Sequence, residues 1–591
     1  MAVVQDIKPR ITAAIEALFQ LSIPEEQLTI NTTKPEFEGD YTVVLFGLIK
    51  QLRQSPEQLG TQLGEWLVKN SDGFFVRYNL IKGFLNLTIG DAYWLQQLES
   101  ANQQDQPGGG AAQNKKVMVE YSSPNTNKPL HLGHLRNNFL GWSVAEIMKY
   151  AGAEVRKTAI LNDRGIHICK SMLSWKLYAN GATPESTGTK GDHFVGDYYV
   201  RFGVEVKKEI EALVNGGMTK EEAEKEAPLN KAASEMLLAW EQGDPEVRKL
   251  WETMNSWVYA GFNETYRRIG SDFDKNYYES ETYLLGKSFV EEGLTKGVFY
   301  KKEDGSVWID LTDEGLDEKL VLRKDGTSVY MTQDLGLADK KYEEFPYDQS
   351  IYVIADEQNY HMKVLKLILK KLGKPYADGI YHLSYGMVEL PSGRMKTREG
   401  TVVDADDLLD ELKKVAQEKT EELGKVKDFS AEELDRLHNM ISLGALKFFL
   451  LRVDPKKRMI FNPEESIDIH GFTATFVQYT HARICSILRK EVASAEPMEH
   501  SALLPLEKTM IVHLEQFETV IDQALQEHNP SALANYAFSL AKTFNSFYAE
   551  HSVVKAESEE KKQLRLRISA VTAKTIRIAM KLLGIEVPDR M

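Results

Sequence analysis

Two histidines about one helical turn apart, His131 and His134, have the residue type and spacing that best suit chemistry on a phosphate. They close the run Ser122-Ser123-Pro124-Asn125-Thr126-Asn127-Lys128-Pro129-Leu130-His131-Leu132-Gly133-His134. A helix beginning here would present free backbone N–H groups and a positive dipole end to a phosphate, and Gly133 would let a nucleotide base approach the backbone. The imidazoles would then stabilise an α-phosphate at its pentacoordinate stage. The competing interpretation is a pair of histidines that only cap or pack the helix start.

A second basic segment further along the chain strengthens the phosphate interpretation. It reads Gly393-Arg394-Met395-Lys396-Thr397-Arg398-Glu399-Gly400. Glycine at each end makes a mobile loop, and Arg394, Lys396 and Arg398 could follow a pyrophosphate as it leaves. Taken alone, such a segment is more often a solvated surface turn. With the histidines it indicates that the chain activates a nucleotide.

The elements around these residues predict a nucleotide-binding α/β core. Val117–Tyr121 is a short β-rich run, and the helical pattern from Leu135 to Tyr150 follows it after a Pro- and Gly-containing break. Further short apolar runs at 158–161, 350–355 and 380–385 alternate with helical segments, which is typical of a parallel sheet covered by helices. We therefore predict a Rossmann-like catalytic core over residues 117–455.

Other parts of the chain predict additional domains around this core. Residues 1–105 are expected to form a small α+β domain, with helical spacing at 11–21 and 41–52 and strand-like alternation at 84–89, and 106–116 reads as a linker. Long acidic helical patterns predict a helical insertion at about 179–270. The pattern from Phe429 onward is helical throughout, which predicts an all-α C-terminal bundle at 456–591.

Composition and charge limit the classes of function. The net charge of -15 argues against a protein that coats nucleic acid, DNA included. Residues 456–591 carry 17 Lys plus Arg and 17 Asp plus Glu, so this segment is the part least repulsive to a polyanion. No apolar run is long enough to span a bilayer, and the first residues lack a signal-peptide pattern, so we expect a cytoplasmic protein that does not bind membranes. A monomer is a separate expectation that these patterns do not support. Cys169 and Cys485 have no metal-type spacing, which gives no support for a zinc site or a disulfide.

The two motifs together resemble those of the class I aminoacyl-tRNA synthetases. His131-Leu132-Gly133-His134 is similar to the family's HIGH motif, and the basic loop is similar to its KMSKS loop, except that Arg394 replaces the first lysine and Thr397 stands where the second is expected. Among class members, arginyl enzymes commonly lack that second lysine and carry one just before the HIGH motif, where Lys128 stands. The departure is therefore a marker of arginyl-tRNA synthetases.

Shorter elements extend this resemblance over nearly the whole chain. Asn162 and Gly165 match a block that follows the second strand of the family's core, with Ile166 where an aspartate is expected. Gly39-Asp40-Tyr41 resembles an element of the added N-terminal domain that touches the tRNA elbow. Tyr479-Thr480-His481-Ala482-Arg483 and Val587-Pro588-Asp589-Arg590-Met591 resemble the anticodon-binding helical domain and its terminus.

The resemblance implies that ATP, with Mg²⁺ bound through its phosphates, activates L-arginine for transfer to tRNA(Arg), and that tRNA must be bound first. The implied catalytic residues are Lys128, His131, His134, Lys396 and Arg398. The implied ATP-binding residues are Pro124, His131, Gly133, His134, Met387, Arg394, Met395 and Lys396. The implied arginine-binding residues are Glu120, Ser122, Asn125, Tyr330, Asp334, Gln358 and His361. Carboxylates at 120 and 334 suit a buried guanidinium, since an unpaired buried charge is very costly.

Three rival functions stay open for this sequence. A small-molecule adenylyl or cytidylyl transferase also uses an HxGH motif, but it does not need a C-terminal helical domain of this size. A non-catalytic tRNA-binding paralogue would explain Thr397, but it would not need Lys128 and both histidines. A glutamyl or glutaminyl enzyme would need cationic or amide groups where Glu120 and Asp334 stand.

Overall fold

The structure is a computed structural model that describes residues 2–34, 36–112, 114–389, 391, 403–423, 428–468, 470–491 and 502–591. These residues form an N-terminal α+β domain, a parallel-sheet core with helical insertions and a C-terminal bundle of helices. This architecture confirms the fold class predicted from the sequence. Among the described residues, no helix is both long enough and apolar enough to cross a membrane.

The N-terminal domain is a four-stranded antiparallel sheet with helices packed on it. Its elements are α1 (Ala2–Phe19), β1 (Ile30–Thr32), β2 (Tyr41–Val44), α2 (Ile49–Leu52), α3 (Pro56–Asn70), β3 (Phe75–Ile81), β4 (Phe84–Ile89) and α4 (Asp91–Gln103), and the strand order is β1-β2-β4-β3. The helix predicted over 41–52 is wrong in its first third. Tyr41 to Val44 pair with β4 instead, because an aromatic residue followed by β-branched residues suits a half-buried sheet.

The core is a five-stranded parallel sheet in the order β12-β11-β5-β6-β7. Its strands are β5 (Lys116–Glu120), β6 (Glu154–Leu161), β7 (Lys275–Tyr278), β11 (Gln349–Ala355) and β12 (Ile380–Tyr385). The four inner or strongly apolar strands lie where the sequence predicts them. The edge strand β7 was not predicted, since only Tyr277 of its four residues is buried and it has no apolar run.

Helices cover the sheet and also form most of its insertions. They are α5 (Leu132–Tyr150), α6 (Ile166–Tyr178), α7 (Pro184–Thr187), α8 (Gly191–Asn215), α9 (Lys220–Glu226), α10 (Pro228–Glu241), α11 (Pro245–Ile269), α12 (Glu279–Thr282), α13 (Lys287–Thr295), α14 (Tyr330–Glu344) and α15 (Asn359–Lys371). Between α13 and α14 lies a small antiparallel sheet that the sequence did not predict, in the order β10-β9-β8, formed by β8 (Tyr300–Lys301), β9 (Val307–Ile309) and β10 (Lys319–Leu322). Because α14 begins at Tyr330, Tyr330 and Asp334 lie one turn apart on the same helix.

The remaining elements form the C-terminal bundle and its connection to the core. They are β13 (Val388–Glu389), α16 (Ala405–Leu423), α17 (Ala431–Leu451), β14 (Met459–Ile460), α18 (Pro463–Ser466), α19 (Ala474–Leu488), α20 (Pro505–Glu515), α21 (Phe517–Glu527), α22 (Ser531–Glu550) and α23 (Glu559–Leu582). The prediction of helices only after Phe429 needs one correction, because Met459 and Ile460 pair in parallel with β13. Ile511 on α20 and Phe517 and Ile521 on α21 are fully or almost fully buried.

The N-terminal domain docks on the C-terminal bundle through polar contacts. Lys508 on α20 forms a 2.8 Å ion pair with Asp40 and donates a hydrogen bond to the Ile89 carbonyl. On α23, Arg567 pairs with Glu99 of α4 at 2.5 Å. Thus the two ends of the chain form one continuous surface.

Candidate active site

The loop between β5 and α5 is held in place by the loop that follows β6. The amide of Thr126 donates to the Asn162 carbonyl at 3.1 Å, and the amide of Asn162 donates to the Pro124 carbonyl at 3.0 Å. Ser122 begins this loop with a φ of 64°, a left-handed conformation that turns the chain away from the strand. These bonds fix the loop at the carboxyl edge of the parallel sheet, where ligands of such folds bind.

His131 and His134 form the start of α5 and share one tautomer. The Nδ1 of His131 accepts a hydrogen bond from the Gly133 amide, and the Nδ1 of His134 accepts one from the His131 amide, each at 3.1 Å. The rings stack with centroids 3.8 Å apart. Burial, together with the neighbouring Lys128, lowers the pKa of His131 to about 3 and that of His134 well below its ordinary value. Both imidazoles are therefore neutral, and each carries its proton on Nε2, from which it can donate to an anion.

Lys128 places a half-buried ammonium beside the two histidines. Burial lowers its pKa from the ordinary value, and its charge contributes to lowering that of His131. Within the part of the chain that the structure describes, no carboxylate forms an ion pair with it. A half-buried cation without a protein anion has an electrostatic reason to bind a phosphate.

The predicted basic loop lies outside the described residues. This applies to Arg394, Met395, Lys396, Thr397 and Arg398 alike. The segment that starts at Val403 is hydrogen-bonded to the residues on either side of His131. The Leu132 amide donates to the Val403 carbonyl at 3.2 Å, and the Ala405 amide donates to the Leu130 carbonyl at 3.0 Å.

The segment before the basic loop is held by a buried arginine of α5. The guanidinium of Arg136 donates to the carbonyls of Gly386 (2.7 Å), Met387 (3.4 Å), Pro455 (3.2 Å) and Lys457 (2.8 Å). Met387, a predicted ATP-binding residue, thus lies beside α5 at the end of β12. The helix that carries the histidines also positions this part of the nucleotide site.

Glu120 is buried at the end of β5, and it already has a cationic partner. Its Oε2 contacts the ammonium of Lys341 on α14, and the two side chains are 6% and 0% exposed. The rings of Tyr277 and Tyr352 lie 5.6 and 4.6 Å from that ammonium. The predicted carboxylate is therefore present, but its charge is balanced within the protein.

Asp334 and His361 form a second acidic position at the same edge. The Asp334 carboxylate lies 2.6 Å from His361 Nε2, and this pairing raises the pKa of His361 above its ordinary value. Tyr330, one turn before Asp334, is 74% exposed, and Gln358 is exposed where β11 ends. The structure thus brings the predicted residues 330, 334, 358 and 361 to helices around the carboxyl edge of the sheet.

Two other predicted residues of the arginine site differ in their exposure. Asn125 is exposed, and its backbone forms a parallel β-bridge with that of Asn162. Ser122 is 1% exposed; its amide donates to Asn137 Oδ1 at 2.6 Å, and its hydroxyl lies 2.7 Å from the Tyr266 hydroxyl. Ser122 shapes the loop from within.

Glu279 and Lys341 are two residues of this region that sequence reasoning missed. Glu279 follows β7 at the carboxyl edge. Burial, reinforced by the charges of Asp163 and Asp334 against the opposing Arg164, raises its pKa to about 7. An acidic residue directly after a parallel strand was the available signal for Glu279, but β7 itself was not recognised.

A pocket in the C-terminal bundle combines cations with aromatic rings. It encloses about 340 Å³ between α19, α22 and the last residues of the chain. Arg483 lies 5.0 Å from the Tyr479 ring and 5.7 Å from that of Tyr548, and Arg590 lies 4.6 Å from the Phe429 ring. Arg489, Lys490 and Met591 complete the wall. Such a combination suits an unstacked nucleobase and its phosphate.

Comparison with known proteins identifies related families over most of the chain. Residues 96–462 match the family described as tRNA synthetases class I (R), catalytic domain; residues 477–591 match the DALR anticodon binding domain; and residues 5–89 match the arginyl tRNA synthetase N terminal domain. Curated relatives named arginine–tRNA ligase are 53% identical in Bacteroides thetaiotaomicron, covering 98% of each chain, and 51% identical in Parabacteroides distasonis, covering 100% of each. The solved arginyl-tRNA synthetase of Thermus thermophilus has the same fold, with a TM-score of 0.77, 24% identity and coverage of 99% of this chain and 100% of that one.

Proposed function

The chain belongs to the class I arginine–tRNA ligase family, and on that premise we propose which of its residues carry each step of the reaction. The enzyme joins L-arginine to tRNA(Arg) with ATP, through an arginyl-adenylate intermediate. An oxygen of the arginine carboxylate attacks the α-phosphorus of ATP and the bond to pyrophosphate breaks. A hydroxyl of the terminal tRNA ribose then attacks the arginyl carbonyl, and AMP leaves.

His131 and His134 stabilise the α-phosphate while its negative charge is greatest. The observation that carries this role is the shared tautomer, because both Nδ1 atoms accept backbone amides and only the Nε2–H groups can turn outward. Neutral donors in a buried site cost little reorganisation during the reaction. Lys128 adds the positive charge, and Lys396 and Arg398 contact the departing pyrophosphate. Pro124, Gly133, Met387, Arg394 and Met395 complete the ATP site.

Mg²⁺ would be held by the phosphates of ATP and not by side chains of the protein. The backbone of Asp404 forms an antiparallel β-bridge with that of His131. The carboxylates of Asp192 and Asp406 already hold the ammonium of Lys190, at 3.0 and 2.7 Å. A divalent ion between Asp192 and Asp406 would have to displace that lysine. The ion supplies charge neutralisation of the leaving pyrophosphate, and the protein contributes the donors named above.

Asp334 is the main counter-ion of the substrate guanidinium, and Glu120 contributes as a neutralised acceptor. Lys341 balances Glu120, whereas among the described residues Asp334 is paired only with His361, which can lose its proton. Asn125, Tyr330, Gln358 and His361 surround the amino acid, Ser122 shapes its loop, and Glu279 adds acidity behind it. A guanidinium needs several acceptors as well as a charge, which this set provides.

The aromatic and basic pocket of the C-terminal bundle binds a base of the tRNA anticodon. Replacing Tyr548 by leucine is expected to raise the KM for tRNA roughly tenfold, since stacking contributes about 1–3 kcal/mol per base, and to leave kcat at saturating tRNA unchanged. Tyr300→Leu, on the small sheet β10-β9-β8, is the matched control. A fall in kcat with an unaltered KM for tRNA would contradict this role.

In the N-terminal domain, the exposed rings of Phe46 and Phe84, whose centroids are 5.5 Å apart, contact the tRNA elbow.

The division of the chain follows from these roles. Residues 1–105 form the domain that contacts the tRNA elbow, and residues 106–116 link it to the core. Residues 117–455 form the catalytic domain, which contains a helical insertion at about 179–270. Residues 456–591 form the domain that binds the anticodon. The enzyme acts in the cytoplasm as a monomer and binds no DNA.

ATP–pyrophosphate exchange tests the assignment of the nucleotide site. With arginine and tRNA(Arg) together, exchange is expected, and it should be lost when tRNA is left out. Lys128→Ala should reduce the exchange rate by about a hundredfold while changing the KM for arginine little, because a phosphate contact is strongest in the transition state. An effect confined to the KM for arginine would show that Lys128 does not act on the phosphate.

A further inference from the structure

Three metal-ligating side chains meet where the end of the chain packs against α19. His481 and Cys485 lie one turn apart on that helix, and Asp589 comes from the tail after α23. One potential ligand atom from each residue lies within 4.8 Å of the other two. The Cys485 sulfur is 3.4 Å from Asp589 Oδ1 and 3.8 Å from His481 Nε2. In a tetrahedral zinc site, neighbouring ligand atoms stand about 3.5 Å apart, so the spacing is close to that of a site.

The orientation of His481 is the independent feature that points to a ligand. Its Nδ1 donates to the Pro588 carbonyl at 2.9 Å, so the lone pair of the ring is on Nε2, and the Cys485 sulfur lies beside the ring, 3.7 Å from Nδ1 and 3.8 Å from Nε2. Histidines that bind metals almost always hold their other nitrogen on a carbonyl or carboxylate in this way. The imidazole is fully buried, and burial lowers its pKa, so it is neutral and ready to coordinate.

A proton and an arginine compete with an ion for the site. Burial, together with Asp589, raises the pKa of the Cys485 thiol to about 11, so binding of an ion must displace that proton. Asp589 Oδ1 pairs with Arg577 at 3.1 Å, but these side chains are 67% and 55% exposed, and exposed pairs contribute little. Arg489 donates to the backbone carbonyl of Asp589 and does not occupy the carboxylate. Residue spacing did not reveal this cluster, because its aspartate lies 104 residues after its cysteine.

We propose that His481, Cys485 and Asp589 form a binding site for a thiophilic divalent cation of the Zn²⁺ type. His481 Nε2, Cys485 Sγ and Asp589 Oδ1 are three ligands, and water completes the fourth position on the exposed side. The thiol releases its proton to solvent as the S–metal bond forms, so one proton leaves for each ion bound. The ion links α19 to the segment after α23. That segment includes Arg590 and Met591, which line the aromatic and basic pocket of the C-terminal bundle.

Cobalt absorption of the full-length, untagged protein tests this site. One equivalent of Co²⁺ should produce the visible bands of a tetrahedral ion and a near-ultraviolet thiolate-to-cobalt band, and Zn²⁺ should remove both. Cys485→Ser should abolish the thiolate band. Cys169→Ser is the matched control, because it removes the only other thiol of the sequence, a buried one, and should leave the spectrum intact. Asp589→Asn should raise the Kd for Co²⁺ roughly tenfold or more.

Thiol protection gives a second readout that does not depend on spectra. Zn²⁺ should protect Cys485 from alkylation in the native enzyme and should not protect it once His481 is replaced by Gln. The proposal is overturned if the thiolate band is absent from the wild type, if it survives Cys485→Ser, or if Zn²⁺ fails to slow alkylation of Cys485.

Discussion

Lys341 and Glu120 form a buried ion pair next to the arginine site, and such a pair is costly to break from either side. Replacing Lys341 by methionine leaves the Glu120 carboxylate buried without a counter-ion. We expect the unfolding free energy of the core to fall by about 3–5 kcal/mol. Urea unfolding of the full-length enzyme measures this loss.

Two further variants separate this effect from a general packing defect. The double variant K341M/E120Q should recover most of the stability, since it removes the buried charge altogether. Lys340→Met, one residue away on the same helix, should change it by no more than about 0.5 kcal/mol. Equal losses in the single and double variants would mean that packing, not charge, accounts for the effect of Lys341.

His361 links the affinity for arginine to pH. Its pKa lies above the ordinary value because it pairs with Asp334, and the guanidinium of arginine competes for that carboxylate. Arginine binding therefore lowers the pKa of His361 and releases a proton, so the KM for arginine should fall about three- to tenfold as pH rises from about 6 to 8. His361→Asn should flatten the profile, measured by aminoacylation kinetics at saturating ATP and tRNA.

Glu279 contributes to the same profile in the same direction. Its pKa of about 7 also falls when a guanidinium arrives, so the residual slope of the His361→Asn enzyme should vanish on adding Glu279→Gln. A profile unchanged by both substitutions would exclude proton linkage through these residues.

The site residues that sequence reasoning found are those whose motif is local. His131, His134 and Lys128 lie within seven positions of one another at a strand-to-helix break, so their arrangement follows from the start of α5 and the loop directly before it. Lys341 and Glu279 come together with Glu120 and Asp334 only through the order of the sheet, which residue spacing does not reveal. The position of Glu120 at the end of β5 was predicted correctly, but its ion pair with Lys341 was not predicted.

At the scale of elements, α5 joins the nucleotide site to the segments around it through Arg136. This guanidinium is 1% exposed and donates to four carbonyl groups, of which those of Met387 and Pro455 also accept a backbone amide. Arg136→Met should therefore destabilise the core by about 3 kcal/mol and slow adenylate formation, because unpaired buried carbonyls are costly. Arg436→Met, whose side chain is 79% exposed, is the control for loss of a positive charge. Urea midpoints and exchange rates report the two effects, and an unchanged midpoint would remove Arg136 from this role.

The accuracy of the predicted strands follows the length of their apolar runs. β11 and β12 are apolar runs, and both were located to within a residue. β2, β7 and the small sheet β10-β9-β8 were missed although β2 is an inner, buried strand, because each of these strands is too short to show a period of two. Helical patterns were reliable throughout the bundle, since one face of each helix is apolar.

At the scale of the whole molecule, Gly39-Asp40-Tyr41 has a structural role in domain docking. Asp40 accepts a hydrogen bond from the Ile89 amide and pairs with Lys508, and the hydroxyl of the buried Tyr41 donates to Glu515 of α20. These residues set the N-terminal domain against the bundle. They therefore fix the distance between the two parts proposed to contact tRNA.

Lys508→Met should weaken the contact between the N-terminal domain and the bundle without changing the rate of the catalysed reaction. We expect the N-terminal domain to lose about 2 kcal/mol of stability and the KM for tRNA to rise several-fold, with kcat unchanged. Lys207→Met, in an exposed pair on α8, should change neither. Urea unfolding and aminoacylation kinetics over a range of tRNA concentrations measure both. A lower kcat with a normal KM for tRNA would contradict a docking role.

The meeting of the chain's two ends has a consequence for its synthesis. The contacts of Leu503 with Asp91 and of Val3 with Glu515 join residues 412 and 512 positions apart. At about 5–20 residues per second, the N-terminal domain emerges from the ribosome roughly 20–100 s before its partner helices exist. During that interval its docking face, with Asp40 and Glu99, is open to water. The surface proposed to hold tRNA is therefore assembled only after α20 and α23 have been made.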